Sequence, residues 1–243
     1  MVVTVERQVL WHDLECGRYR ADLPLWRELA AESAGQDGRV LDIGAGTGRV
    51  ALDLARSGHA VTALDVEQRL LDELERRAAG LPVQAVLGDA RSFQLESREH
   101  RLCIVPMQTV QLLRGPAERR ALFERAHAHV REGALVALAI VTEVDEFDAR
   151  RGGIGPAPDT ARIGSELYVS RPARVAVTDR FIRIERERFV ADGPIEHDVI
   201  ELERLDAEQL LEEGRAAGLR AVRTVTIAET LEHAGSEVVL LRA

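Results

Sequence analysis

Within residues 39–49, RVLDIGAGTGR, Asp42 stands just before a turn in which Gly44, Gly46 and Gly48 alternate with Ala45 and Thr47. Glycines there let the backbone turn sharply and let a ligand lie against it with no Cβ atoms in the way. Two more carboxylates, Asp65 and Asp89, follow the apolar runs 60–64 and 83–87. With Asp42 they mark three successive strand ends, where a carboxylate can accept two hydrogen bonds at once from a polar ligand. Such a turn serves dinucleotides, nucleotide phosphates or an adenosyl cofactor. The dinucleotide spacing requires a third glycine where this chain has Arg49, and the phosphate loop requires a lysine, which the chain lacks altogether. What remains is an acidic residue followed by G-x-G-x-G.

The surrounding pattern supplies the elements that must hold these residues. Val40, Leu41 and Ile43 form a short apolar strand, and residues 50–57, 68–79 and 116–130 carry apolar side chains at helical spacing. Strands at 60–64, 83–87, 102–105 and 134–141 alternate with them as nearly continuous apolar runs, which predicts a parallel sheet covered on both faces. Residues 8–34 predict two short helices, with Pro24 restarting the pattern. Gly152, Gly153, Gly155, Pro156 and Pro158 predict a loop from about residue 143. Runs at 173–178, 181–190 and 197–205 then alternate apolar and polar residues, predicting half-buried antiparallel strands. A helix over 206–217 precedes strands at 220–227 and 237–241, whose connection is too short for a parallel crossover, so the last strand must run antiparallel if the two are neighbours.

The expected fold class is therefore α/β: a Rossmann-like, doubly wound, mostly parallel seven-stranded sheet with an antiparallel last strand and an inserted antiparallel β lid. The expected organisation is a helical cap over 1–36, a cofactor-binding core over 37–142, a substrate lid over 143–205 and completion of the core over 206–243. The net charge of −9 disfavours nucleic acid and membrane surfaces as partners and favours small molecules. Charged residues interrupt the apolar N-terminus, so no signal peptide is expected there. Cys16 and Cys103 show no metal spacing, and the expected compartment is cytoplasmic.

On Asp42-Ile43-Gly44-Ala45-Gly46-Thr47-Gly48, Asp65, Gly88-Asp89-Ala90 and the reversed last strand, the sequence resembles the class I S-adenosylmethionine-dependent methyltransferases. The resemblance implies S-adenosyl-L-methionine as cofactor and S-adenosyl-L-homocysteine as product. It implies that Asp42 and the glycine turn hold the methionine end and that Asp65 accepts from both ribose hydroxyls, with Val66 beside it. Asp89 and Ala90 would recognise adenine, and Pro106 and Met107 would flank the cofactor after the fourth strand.

Methyl transfer from a sulfonium is a direct displacement, so alignment and exclusion of water matter more than acid or base groups. Gln108 faces the expected methyl position and is the candidate for orienting the acceptor; Tyr19, on the cap, is the candidate for closing over the cofactor. Tyr168 and Phe181 are candidate pocket aromatics for an amine acceptor, and Glu185–Arg188 reads as a paired or solvated sheet face. The expected activity is methyl transfer to a small-molecule acceptor, nitrogen before oxygen, with a homodimer through the inserted sheet possible. A cofactor-binding regulatory domain without turnover and an aminopropyltransferase-like enzyme share the scaffold as alternatives.

Overall fold

The computed structural model describes residues 7–33, 38–230 and 233–243. The chain runs through α1 (Arg7–Cys16), α2 (Leu23–Ser33), β1 (Arg39–Ile43), α3 (Arg49–Arg56), β2 (Ala60–Asp65), α4 (Gln68–Arg77), β3 (Val83–Leu87) and β4 (His100–Val105). A 3-10 turn (Thr109–Leu112), α5 (Gly115–His129) and β5 (Val130–Ile140) follow. Then come β6 (Phe147–Asp148), β7 (Asp159–Ile163), β8 (Glu166–Val177), β9 (Phe181–Val190), β10 (Glu196–Glu203), α6 (Ala207–Ala216), β11 (Arg220–Ile227) and β12 (Ser236–Arg242).

Seven strands form one sheet in the order β11-β12-β5-β4-β1-β2-β3. β1 to β5 pair in parallel, and β12 runs antiparallel to both β5 and β11, as the short final connection requires. Alternation along each strand divides the apolar runs between two layers. Val40, Leu102, Ala137 and Val238 face α2 and α3, whereas Leu41, Cys103, Val136 and Val239 face α5 and α6. Both faces are therefore buried, and the C-terminal strand ends are left as the edge where a ligand can approach.

β10-β9-β8-β6 form a second, antiparallel sheet, with β7 also paired to β8. Two of these strands lie in the stretch expected to be a loop: β6 has only two residues, and β7 follows Pro158 in a segment whose Gly/Pro content masked its pairing. β8 begins at Glu166 rather than at residue 173, because Pro172 sits at a register shift that the strand tolerates as a bulge. The expected cap over 1–36 is described as α1 and α2; residues 1–6 and 34–36 lie outside the described residues.

Three polar anchors tie the inserted sheet to its surroundings. Arg188 of β9 makes a two-pronged pair with Glu15 of α1, both contacts at 2.7 Å, and Ser170 of β8 donates to the same carboxylate. Glu185–Arg188 is thus not merely a paired outer face, since Arg188 ties β9 to α1. Gln111, fully buried, donates to the carbonyls of Val141 and Glu203 and accepts from Val141 N–H, joining β4's following turn to both sheets. Arg119 of α5, also fully buried, pairs with Glu213 of α6 at 2.7 Å and with Glu203 at 3.1 Å.

Candidate active site

The C-terminal ends of β1 to β4 open into a cleft of about 490 Å³, roofed by Ile200 and Leu202 of β10 and bordered by His12 and Cys16 of α1. Its lining includes Asp42, Gly44, Ala45, Asp65, Val66, Asp89, Ala90, Pro106, Met107 and Gln108. The glycine turn at its floor is conformationally demanding: Gly44, Gly46 and Gly48 all have positive φ (77°, 55° and 91°), where L side chains are strained. A Cβ on Gly44 would lie 2.5 Å from the Thr109 side chain, so the turn and the β4 loop touch backbone to side chain. Met107 has φ 55° without being glycine, a strained conformation at the cleft wall.

The three carboxylates have different environments. Asp42 is buried, and neither oxygen has a hydrogen-bond partner among the described residues. Burial, with Asp65 and Asp22 nearby, outweighs the opposing Arg49 and Ala51 backbone and pushes its carboxyl up to about 7. Asp65 accepts from Gly46 N–H at 2.8 Å and from Glu67 N–H at 2.9 Å, bracing the turn while each oxygen keeps acceptor capacity toward the cleft. Asp89 is chelated by the Arg91 side chain and backbone N–H, which hold it down at about 2, and Arg91 also reaches Glu118 at 2.7 Å. Beside them Val66 and Leu112 are exposed to the cleft although apolar, 65% and 46% respectively, a surface suited to a flat, uncharged ring.

Other expected site residues lie elsewhere. Tyr19 stands outside the cleft lining: it is buried, its ring 5.0 Å from His233 and 5.2 Å from the Arg49 guanidinium, so it packs the cap against the β12 side of the molecule. Thr47 turns away from the cleft and donates to Asp13 of α1 at 2.6 Å, and Gly48 packs on Leu52 and Leu74. Tyr168 meets Trp11 edge-on at 5.7 Å and Phe181 lies between Arg114 and Arg180, so neither reaches the cleft. Among the described residues no group of three or more His, Cys, Asp or Glu side chains is arranged to hold a metal ion, and no helix is long and apolar enough to cross a membrane.

Three features escaped the sequence reading. Arg49 pairs with buried Asp22 at 2.5 and 2.7 Å and donates to Tyr19 C=O, so the residue that breaks the dinucleotide spacing fastens the cap to the turn. The acidic residue at position 22 lay in a stretch read only for its apolar period. Gln111 was not distinguishable from a polar turn residue. From sequence His12, like His197, is a histidine that could line the pocket but more often lies at the surface; its place over Gly46 follows from α1 crossing the glycine turn.

This geometry agrees with comparison to known proteins. Residues 40–133 match the family described as "Methyltransferase domain". A cypemycin N-terminal methyltransferase from Streptomyces sp. is 35% identical over 118 residues, 48% of this chain and 47% of the relative, so the match spans about half of that protein's length. Among solved structures, a sugar N-methyltransferase from Streptoalloteichus sp. superposes with TM-score 0.74 at 18% identity, covering 99% of this chain and 95% of that one. An S-adenosylmethionine-bound amino pentose methyltransferase from Micromonospora echinaspora gives 0.70 at 20% identity, covering 99% of each. Residues 40–133 thus carry a methyltransferase domain, and the chain shares the fold of these solved methyltransferases. Two of these neighbours are named for a sugar nitrogen and for an amino pentose.

Proposed function

We propose that this protein transfers a methyl group from S-adenosyl-L-methionine to a nitrogen of a small-molecule acceptor by direct displacement. The observation that carries the reading is the orphaned, buried Asp42 carboxyl beside a positive-φ glycine turn, at the foot of a cleft whose next two strand ends carry Asp65 and Asp89. When bound, the cofactor supplies an electrophilic methyl on a sulfonium. Asp42 and the turn would face its ammonium end, which would donate to the Asp42 carboxyl that has no partner among the described residues. Asp65 would accept from the ribose hydroxyls, and Val66, Leu112 and the Asp89–Ala90 edge would enclose the adenine.

Met107, Gln108, Ile200 and Leu202 then wall the remaining part of the cleft. Their mostly apolar surface excludes water around the displacement, and the Gln108 amide is suited to hold the acceptor by hydrogen bonding. The cap over 1–36 and the inserted sheet over 143–205 serve in this reading as the cover of the acceptor. Support for nitrogen comes from the relatives, which are named for a peptide N-terminus, a sugar nitrogen and an amino pentose.

Calorimetric titration with S-adenosylmethionine and S-adenosylhomocysteine tests the cofactor, and mass spectrometry of a panel of amino sugars, peptide amino termini and phenols tests the acceptor. Binding of both cofactors and a 14-dalton gain on amines only is expected. No binding at high micromolar concentration overturns the methyltransferase reading, and methylation confined to phenols overturns the nitrogen preference.

A further inference from the structure

α1 crosses the glycine turn with His12 lying on Gly46: a Cβ there would lie 2.5 Å from both Cε1 and Nε2 of the imidazole. The absence of a side chain at 46 therefore makes room for the ring as well as for the turn. His12 borders the cleft and is the only imidazole in its lining. The other titratable groups around the cleft are engaged or enclosed: Asp65 by backbone N–H groups, Asp89 and Glu118 by Arg91, Glu67 by Gln8, Arg49 by Asp22, Asp42 in the turn's interior, and Cys16 with its thiol pushed up to about 11 by burial.

The neighbours of Nδ1 fix which nitrogen carries the proton. The Thr47 hydroxyl lies 3.5 Å from Nδ1 and spends its own proton on Asp13 Oδ1, so toward the ring it offers only lone pairs. Asp13 Oδ1 itself is 3.9 Å from Nδ1. Two acceptors on one side place the hydrogen on Nδ1 and leave Nε2 with a free lone pair. Among the described residues Nε2 has no hydrogen-bond partner. Burial works to raise the Asp13 carboxyl, but the nearby His12 ring and hydrogen bonds from Arg77 and Thr47 outweigh it and hold Asp13 well below the usual carboxylate range. An anion therefore stands behind Nδ1, itself steadied by Arg77 of α4, which also binds Glu73 at 2.7 Å.

We propose that His12 is the proton acceptor for the amine substrate, with Nε2 as the base and Thr47 and Asp13 as the groups that set its tautomer. The proposal rests on the methyltransferase reading and deepens it. An acceptor that arrives as an ammonium ion gives one proton to Nε2. The freed nitrogen lone pair forms the N–CH3 bond while the C–S bond breaks, and that electron pair stays on sulfur, leaving a neutral thioether. Asp13 stabilises the imidazolium, which releases its proton to water through the open cleft. Such base catalysis accelerates a reaction by about 100-fold or more.

The test compares wild type, His12→Gln and His12→Ala with S-adenosylmethionine and an amine that the wild type methylates. Expected are cofactor dissociation constants within about twofold of wild type and a loss of about 100-fold in kcat/KM. The acid limb of the wild-type kcat/KM profile should move up in the variants to where the amine itself loses its proton, and imidazole in solution should restore turnover to His12→Ala. Wild-type kcat/KM in His12→Gln at every pH overturns the assignment, as does a loss that tracks weakened cofactor binding and is not rescued by imidazole. Absence of turnover by the wild type on every acceptor overturns the methyltransferase reading itself and the His12 role with it.

Discussion

Arg49 and Asp22 face each other across the junction between the glycine turn and the N-terminal helices, joined by contacts of 2.5 and 2.7 Å with both side chains almost fully buried. Asp22 also accepts from Trp26 Nε1 at 2.8 Å, and Arg49 donates to Tyr19 C=O at 3.0 Å. The pair therefore connects α2, the link before it and the first residue of α3. Removing one partner strands the other charge where water cannot reach it, a loss of about 3 kcal/mol or more, whereas removing both leaves no orphan. Arg49→Met should lower unfolding stability by that amount in urea titration, and the double variant Arg49→Met/Asp22→Leu should recover a large part of it.

Asp65 braces Gly46 and, in the proposed function, carries the ribose. Asp65→Ala should weaken S-adenosylmethionine binding by about 1.5–3 kcal/mol, the range for hydrogen bonds to a charged group. Calorimetry decides it; an unchanged dissociation constant removes Asp65 from the binding site.

Asp42 gives the protein a distinctive pH dependence. Its folded carboxyl sits at about 7, above the 3.8 of the free side chain, so the folded state holds a proton that the unfolded chain has lost. Its contribution to stability is fully present below pH 3.8 and is lost as pH rises toward 7. Asp42→Asn should therefore flatten the fall in unfolding free energy between these limits, measured by urea titration of cofactor-free protein. If Asp42 faces the cofactor's ammonium, binding near pH 6 should release a proton, seen as a dependence of the calorimetric enthalpy on buffer ionisation and absent in Asp42→Asn.

Gln111 makes three hydrogen bonds to main-chain groups, two buried ones to Val141 and a part-buried one to Glu203. Replacement by leucine leaves those groups unpaired, at a cost of about 1–3 kcal/mol for each that finds no water. Gln111→Leu should lower the melting temperature and speed proteolysis within β6–β10, because the same residue joins that sheet to β5. Unaltered proteolysis there would show that Gln111 stabilises only the main sheet.

Much of the main sheet was legible because its signals are local. Val40–Ile43, 60–64, 102–105 and 134–141 are apolar runs punctuated by glycine or proline, and the short connection before the last strand dictated its direction. β6 and β7 were not legible, because their pairing depends on β8 rather than on any pattern of their own. At the site, Asp42, Asp65 and Asp89 could be named from their places at strand ends. Tyr19 could not be placed, since whether a cap side chain enters the cleft depends on how α1 and α2 are fastened.

The sequence by itself determined the glycine turn, the three carboxylates around it and the alternation of strand and helix, since each follows from spacing along the chain. Only the tertiary structure decided what those residues do to one another. It left Asp42 without a hydrogen-bond partner among the described residues, bound Asp89 to Arg91, turned Arg49 toward Asp22 and laid His12 on Gly46. These are contacts between residues up to 34 positions apart, such as Thr47 and Asp13. Their energies depend on burial and direction, which spacing along the chain does not encode.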